Sequence, residues 1–403
     1  MNKMRTFRIF TMVAIVSMIA IVTIPSIFFA SCERRPELYL RKVMPIRIIL
    51  TNLALKLDVY WDYSFIYEND TTDWRNKWLY GWEDTYDYSL PDLFDIRRYY
   101  LGSMPNMPHR TVRPHTVKHE FVAEYELGFW DILAWNDIQA KEVSLVFNET
   151  VLDSVTAETR STMYRTHYTY NPNFNYSFNQ PEELYSAYQQ NIEINENHDG
   201  FEWDPERNVW MKEIHMDLTP VTFIYLTQLI LHNNRGRVDR VDGFSYLTGM
   251  GRSVNVNTGR AGSDDIAVQY HVGIKKNCPR KDKFGNVIEQ VDVIGGRVLT
   301  FGIPNLRARD FRQPSDTVEL RRQLLDKPHH YIEMNVGFSN GANDTTFVFD
   351  VTDQVHRYFR GGVITMELNM DTVPIPRRSG GSAFDAVVKE YEEEQYEFGF
   401  DEK

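Results

Sequence analysis

Hydrophobic and polar positions alternate with a period of two in several short segments of this chain. Leu55, Leu57, Val59 and Trp61 share one face of such a segment, and residues 121–127 alternate in the same way. Residues 129–135, apolar apart from Asp131, are predicted to form a buried strand, and β-branched residues favour a strand for the strongly apolar run 223–231. Further strands are predicted at 143–147, 154–159, 241–244, 246–251, 253–256, 266–274, 293–301, 331–338, 346–351 and 363–368. Short strands separated by Gly, Asn and Pro predict an all-β fold of antiparallel sheets.

Three stretches depart from this pattern. Residues 70–115 are rich in aromatic side chains and prolines, and we expect an irregular insertion there. Residues 181–190 are compatible with one short helix that has Pro181 in its first turn. Residues 377–403 contain an acidic run, which is typical of a tail or a late edge element.

The N-terminus has the layout of a secretory signal peptide. Lys3, Arg5 and Arg8 precede an apolar run over 9–30, and Cys32 follows small residues. The segment 29–32, FASC, resembles a bacterial lipobox, which implies diacylglycerol on Cys32 and cleavage after residue 31. The alternative is an uncleaved anchor helix, because about 20 apolar residues suffice to span a bilayer. Either interpretation places the chain outside the cytoplasm and attaches it to a membrane.

Charge and cysteine content exclude some functions. The formal net charge is −12, which argues against nucleic acid as a partner and against broad adhesion to anionic lipid. The second of the two cysteines is Cys278, so lipidation of Cys32 leaves no pair for a disulfide.

Sequence motifs for catalysis or metal binding are missing from the chain. It has no nucleophile elbow, P-loop, dinucleotide signature or HExxH motif. His115 and His119 are four residues apart, which on a strand separates their Cα atoms by about 13 Å, too far to share an ion. We therefore expect no enzyme activity, no catalytic residue, no metal site and no cofactor.

Trp74, Trp78 and Trp82 are the candidate binding residues. Their spacing of four places them on one helical face or in a loop platform, where exposed indole rings could stack on a sugar or anchor a protein partner. The alternative is that these aromatic side chains belong to the core and pack on the first sheet.

Several short segments resemble one family. They are ERRP after Cys32, VYWD at 59–62, FWDILAWN at 129–136, LTGMG at 247–251, GRVLTFG at 296–302 and FDVTDQV at 349–355. Together they are similar to Bacteroidales surface lipoproteins of unassigned function, which are related to the fimbrillin superfamily and its major and minor fimbriae anchor subunits.

The resemblance implies two tandem transthyretin-like β-sandwiches after a lipoprotein signal peptide. The expected layout is a signal peptide at 1–31, a tether at 32–45, one sandwich at 46–208 with the insertion at 70–115, a second at 209–376, and an acidic tail at 377–403. It implies a lipid-anchored outer-membrane protein, on the cell surface or on the periplasmic face, that contacts fimbrial subunits by strand addition. The competing hypothesis is a glycan-binding lipoprotein of a polysaccharide-uptake system, and a secreted hydrolase is disfavoured.

Overall fold

The protein is described here by a computed structural model. It describes residues 43–50, 77, 78, 80, 89, 91, 93–117, 120–138, 143–150, 154–162, 176–195, 201–205, 209–216, 218–308, 317–342 and 344–376.

Strands make up nearly all of the regular structure in these residues. The strands are β1 (Val43–Leu50), β2 (Phe94–Gly102), β3 (Thr111–Val117), β4 (Glu120–Glu126), β5 (Gly128–Asn136), β6 (Leu145–Asn148), β7 (Thr156–Thr159), β8 (Ser177–Asn179), β9 (Tyr185–Ile194), β10 (Phe201–Asp204), β11 (Val209–Met216), β12 (Thr219–Pro220), β13 (Phe223–His232), β14 (Val238–Gly251), β15 (Ser253–Asn255), β16 (Arg260–Ala261), β17 (Asp265–His271), β18 (Gly273–Lys281), β19 (Val287–Thr300), β20 (Tyr331–Phe338), β21 (Thr345–Asp350) and β22 (Gly362–Asn369). Two short helices, α1 (Thr317–Leu324) and α2 (Thr352–Arg357), lie among the C-terminal strands.

The strands form five sheets. Their orders are β10-β11-β1-β4, β12-β9-β5-β2-β3, β18-β19-β13-β22, β21-β20-β14-β17-β8 and β16-β15-β7-β6. Most neighbouring strands are antiparallel, whereas β1 with β11, β13 with β22 and β8 with β17 are parallel. Parallel neighbours require long connections, so these three pairs join segments that are distant in the sequence.

The largest core lies between the two C-terminal sheets. Side chains of β13, β19 and β22 on one sheet meet those of β14, β17, β20 and β21 on the other, which is the arrangement of a β-sandwich. A second core surrounds Trp130 of β5, and a third surrounds Trp135 at the end of the same strand. Successive side chains of a strand point to opposite faces, and both faces of β5 are covered, so residues 129–135 are apolar apart from the buried Asp131.

The all-β prediction is confirmed, and many of its strands are found where the pattern placed them. The predicted strand 331–338 is β20, and the run 223–231 is β13. The helix expected at 181–190 is wrong, because β9 pairs with β5 and β12 there. The irregular insertion expected over 70–115 is wrong for residues 94–102 and 111–115, which belong to β2 and β3.

The domain layout stays a prediction. The strand pairing around residue 209 concerns the expected boundary between its two sandwiches. β11 starts at Val209 and pairs with β1 and β10, while Thr219 and Pro220 pair with β9. From Phe223 onward, β13 pairs with strands of the C-terminal sandwich. The signal peptide, residues 32–42 of the tether and the acidic tail lie outside the described residues. The tether expected at 32–45 is wrong for residues 43–45, because they belong to β1 and pair with β4.

Candidate functional site

The structure describes one of the three candidate tryptophans. Trp78 is 6 % exposed and packs into the core that surrounds Trp130. Its neighbour Lys77 donates from Nζ to the Tyr358 hydroxyl at 2.7 Å, and Gln228 donates to the Lys77 carbonyl at 2.9 Å. The segment at Trp78 is therefore tied to the C-terminal sandwich. Trp74, Trp82 and Cys32 lie outside the described residues.

One sheet edge is completed by a distant strand of the same chain. The three-residue strand β8 adds in parallel to β17, with Phe178 opposite Val268. The guanidinium of Arg252 lies 5.5 Å from the centre of the Phe178 ring, and the Ser177 hydroxyl donates to Gln269 at 3.3 Å. Main-chain pairing plus side-chain contacts is the chemistry by which a sheet accepts an extended peptide. The C-terminal sandwich binds a strand of its own chain in this way.

A second edge, β22, is left without a partner strand. Within the described part of the chain β22 pairs with β13 alone, and its sequence GVITMELN contains neither Pro nor Lys. Natural edge strands are usually protected by such residues, by bulges or by a covering element. Ile364, Met366 and Leu368 fill the sandwich core, so β22 is firmly held, and no described strand pairs with its outer backbone edge.

Gln354 of α2 occupies one position on this edge. Its side-chain amide donates to the Thr365 carbonyl and accepts from the Thr365 amide, both at 2.9 Å. Because backbone groups alternate sides along a strand, the amides of Val363 and Glu367 point to the same side as that of Thr365. The Gln354 side chain thus makes the hydrogen bonds that a neighbouring strand would make.

A row of charged side chains crosses this sheet next to the open edge. His232 on β13 contacts Glu289 on β19 at 2.8 Å and Glu367 on β22 at 3.0 Å. Arg280 on β18 reaches the same two carboxylates at 3.6 and 3.8 Å. The row links all four strands, and it holds the Glu367 side chain above the sheet face.

The opposite edge of the sheet extends into an arm. β19 pairs with β13 from Asp292 onward, so residues 276–291, which we call the arm, pair with one another and with no other described strand. Asp282 closes its turn by accepting from the amides of Phe284 at 2.8 Å and Asn286 at 2.9 Å. These hydrogen bonds hold the pKa of the Asp282 carboxyl below its ordinary value. Pro279 and register shifts interrupt the outer strand of the arm.

A cleft of about 1160 Å³ lies between the N-terminal strands and the C-terminal sandwich. Phe244 and His271 form one wall, with ring centres 4.4 Å apart, and Arg160 and Gln180 line it as well. Arg297 and Glu183 also line it, and they contact each other at 2.5 Å. The cleft combines an aromatic surface with amide and charged groups, which is the chemistry of a site for a polar ligand.

A buried network around Asp131 was missed in the sequence. Its carboxylate accepts from Asn191 N at 2.7 Å and Tyr188 OH at 2.9 Å, and it lies 3.0 Å from His109 Nε2. Burial raises the pKa of Asp131, but the hydrogen bonds from His109, Asn191 and Tyr188 outweigh it, so the pKa is held below its ordinary value. The side chains of His109 and Asp131 are 2 % and 6 % exposed. We interpret this network as structural, because solvent does not reach it.

Neither a metal cluster nor a membrane-spanning helix is found among the described residues. Among the described side chains, no cluster of three or more His, Cys, Asp or Glu is suitable for a metal ion. In the part of the chain that the structure describes, no helix has the length and apolar character needed to cross a bilayer.

Comparisons with known proteins give structural neighbours only. No protein-family model and no curated protein matches the sequence. A candidate adhesin from Bacteroides ovatus is 12 % identical, with 90 % of this chain and 98 % of that chain covered and a TM-score of 0.44. The fimbrial anchor protein Mfa2 from Porphyromonas gingivalis is 9 % identical, with 81 % and 91 % covered and a TM-score of 0.38. A candidate polysaccharide-binding protein from Bacteroides thetaiotaomicron is 7 % identical, with 80 % and 90 % covered and a TM-score of 0.37.

The neighbours include adhesins and fimbrial proteins of Bacteroidales, the group that the sequence motifs resemble. Identities and TM-scores this low assign neither a family nor a function to this chain.

Proposed function

We propose that this chain is a non-enzymatic cell-surface protein that acts in fimbria assembly or adhesion by accepting a partner strand along β22. In this proposal a lipid on Cys32 attaches the chain to the outer membrane, and the C-terminal sandwich presents its open edge to a fimbrial subunit.

The open edge of β22 is the observation that carries the proposal. An unpaired strand without Pro, Lys or a bulge is a template for another strand, and soluble proteins rarely leave one unprotected. The pairing of β8 with β17 supports it, because that edge already accepts a short strand in parallel. In such a complex, main-chain hydrogen bonds supply affinity and side-chain contacts supply register.

Two variants at one position test the edge. Glu367→Pro removes the outward amide of β22, which an incoming strand requires, and proline is tolerated where an edge amide faces outward. Glu367→Ala removes the same contacts to His232 and Arg280 but keeps the amide. Each full-length variant would be expressed in a fimbriated Bacteroidales strain. After cross-linking, the variant would be purified together with the proteins bound to it.

We expect fimbrial subunits with the wild type and with Glu367→Ala, and their loss with Glu367→Pro. Equal recovery with both variants would show that β22 is not the contact. Recovery of no fimbrial subunit with the wild type would contradict the proposed function itself.

Glycan binding is the second candidate function, and the cleft favours it. Phe244 and His271 offer a ring surface beside Arg160 and Gln180, and sugars bind by stacking on rings and by hydrogen bonds to polar groups. A glycan array with the wild type and with Phe244→Ala tests this site. Binding that Phe244→Ala abolishes would support the second candidate, and an array without any bound glycan would reject it.

The tryptophan hypothesis has its own test. The burial of Trp78 predicts that Trp78→Ala lowers the free energy of unfolding by about 3–5 kcal/mol. A loss of glycan binding without a loss of stability would instead favour a binding role for this residue.

A further inference from the structure

The tip of the arm exposes three apolar side chains. Phe284, Val287 and Ile288 are 77 %, 53 % and 59 % exposed. At the base of the arm, by contrast, Cys278 and Val291 are buried with Ile230 and Val293. The arm is thus fixed to the sandwich at one end and presents an apolar tip at the other.

Cations surround this tip in a chain that is acidic overall. Lys276, Lys281 and Lys283 are exposed along the arm, whereas the formal net charge of the chain is −12. The acidic residues of the arm are engaged locally, because Asp282 closes the turn and Glu289 contacts His232 and Arg280. The tip therefore combines positive charge with apolar surface.

The arrangement fits a lipid surface better than a protein surface. Val287 and Ile288 are neighbours on an extended strand, so they point to opposite faces of the arm, and both are exposed. A protein groove covers one face, whereas a bilayer surrounds a tip on all sides. Three side chains also supply far less than the roughly 800 Å² per partner of a stable protein interface.

We propose that the tip of the arm inserts into an anionic phospholipid surface. Phe284, Val287 and Ile288 enter the boundary between headgroups and acyl chains, and Lys281 and Lys283 contact the phosphates. Long lysine side chains extend their apolar stems along such a surface while the ammonium groups stay in water. This contact would fix the orientation of the sandwich on the membrane, and it depends on the arm alone, not on strand addition at β22.

A fluorescent label at the tip tests the insertion. In the full chain with Cys32→Ala, Phe284→Cys would carry an environment-sensitive nitrobenzoxadiazole label, and Ser263→Cys, another exposed position, would carry it in the control. Both would be mixed with vesicles of equal parts phosphatidylglycerol and phosphatidylcholine, and with vesicles of phosphatidylcholine alone.

We expect the label at position 284 to brighten and shift to the blue on phosphatidylglycerol vesicles, and the label at position 263 to stay unchanged. Adding Lys281→Gln and Lys283→Gln should raise the lipid concentration needed for half of the signal about thirty-fold, since each lysine near an anionic surface contributes about 1 kcal/mol. An unchanged label at position 284, or equal changes at both positions, would overturn the inference. A signal that rises with protein concentration in the absence of vesicles would also overturn it, because a second copy of the chain would then be the occupant.

Discussion

The two edges of the sheet β18-β19-β13-β22 are built in opposite ways. The β18 edge carries Pro279, exposed lysines and two register shifts, all of which hinder pairing with another strand. The β22 edge has none of these, and the Gln354 side chain hydrogen-bonds to its outer side. Both edges belong to one sheet and share one core, so the stability of the sheet does not explain why only one of them is protected. We infer that the two edges have different functions. The protected edge ends in the arm, and the open edge is our candidate for strand addition.

The largest effect is expected where β22 contacts the core. Ile364 is fully buried, so Ile364→Ala should lower the free energy of unfolding by about 2–5 kcal/mol, measured by urea denaturation. Ile364→Val, the matched control, should cost about 0.5–1.5 kcal/mol. A negligible loss with Ile364→Ala would mean that β22 is not firmly held, and the comparison of the two edges would fail.

Acid should weaken the attachment of α2, the helix whose Gln354 side chain bonds to the open edge. Burial, followed by the neighbouring His356, lowers the pKa of His330 to about 3, and His329 and Asp350 also lie nearby. His330 is hydrogen-bonded to the start of α2, since its amide donates to Thr352 and its carbonyl accepts from Val351. The helix that carries Gln354 therefore depends on a histidine that must stay neutral.

The sign of the pH effect follows from this shift. As pH falls below about 6.5 the unfolded chain takes up a proton on His330 that the folded chain does not, so stability is present above that pH and is lost toward pH 3. At pH 5 the loss should be about 2 kcal/mol. Stability curves of the wild type and of His330→Asn should therefore differ in slope between these pH values. Parallel curves would show that His330 does not titrate as described.

Removing the Gln354 side chain should expose the open edge further. Gln354→Ala deletes two hydrogen bonds to Thr365 and should cost about 1 kcal/mol, while it increases the recovery of a partner strand. Gln323→Ala, which removes a partly buried side chain of α1, is the control. If the amount of co-purified fimbrial subunit is unchanged or reduced with Gln354→Ala, the glutamine does not occupy the position of a partner strand.

The smallest stability effect is expected at the protected edge. Lys276→Val with Lys281→Val should change the free energy of unfolding by less than about 0.5 kcal/mol, because both side chains are exposed. Self-association should nevertheless increase, and analytical ultracentrifugation would detect it. Lys276→Arg with Lys281→Arg should stay monomeric, and a monomeric valine variant would show that these lysines do not protect the edge.

The sequence predicts single strands well and their partners poorly. Period-two alternation or short apolar runs predict β4, β5, β13 and β20. They do so because the buried face of a strand carries apolar side chains. β9 was missed, since Glu182, Glu183, Leu184 and Ala187 favour a helix locally while pairing with β5 and β12 decides the outcome.

The candidate site could not be predicted from the sequence. Residues 363–368 were expected to form a strand, but nothing in them indicates that β22 lies at an edge or that Gln354 bonds to Thr365. Such features depend on parallel pairing between distant segments, which local patterns do not encode. The exposed tip of the arm depends on where β13 stops pairing with β19, which no local pattern shows.

Photo-cross-linking from the two edges tests the central claim most directly. A photoreactive amino acid would replace Glu367 on β22 in one full-length variant and Lys276 on β18 in another, both expressed in the fimbriated host strain. The account predicts a cross-link from position 367 to a fimbrial subunit and none from position 276. Absence of a cross-link from position 367, or equal cross-links from both positions, would contradict it.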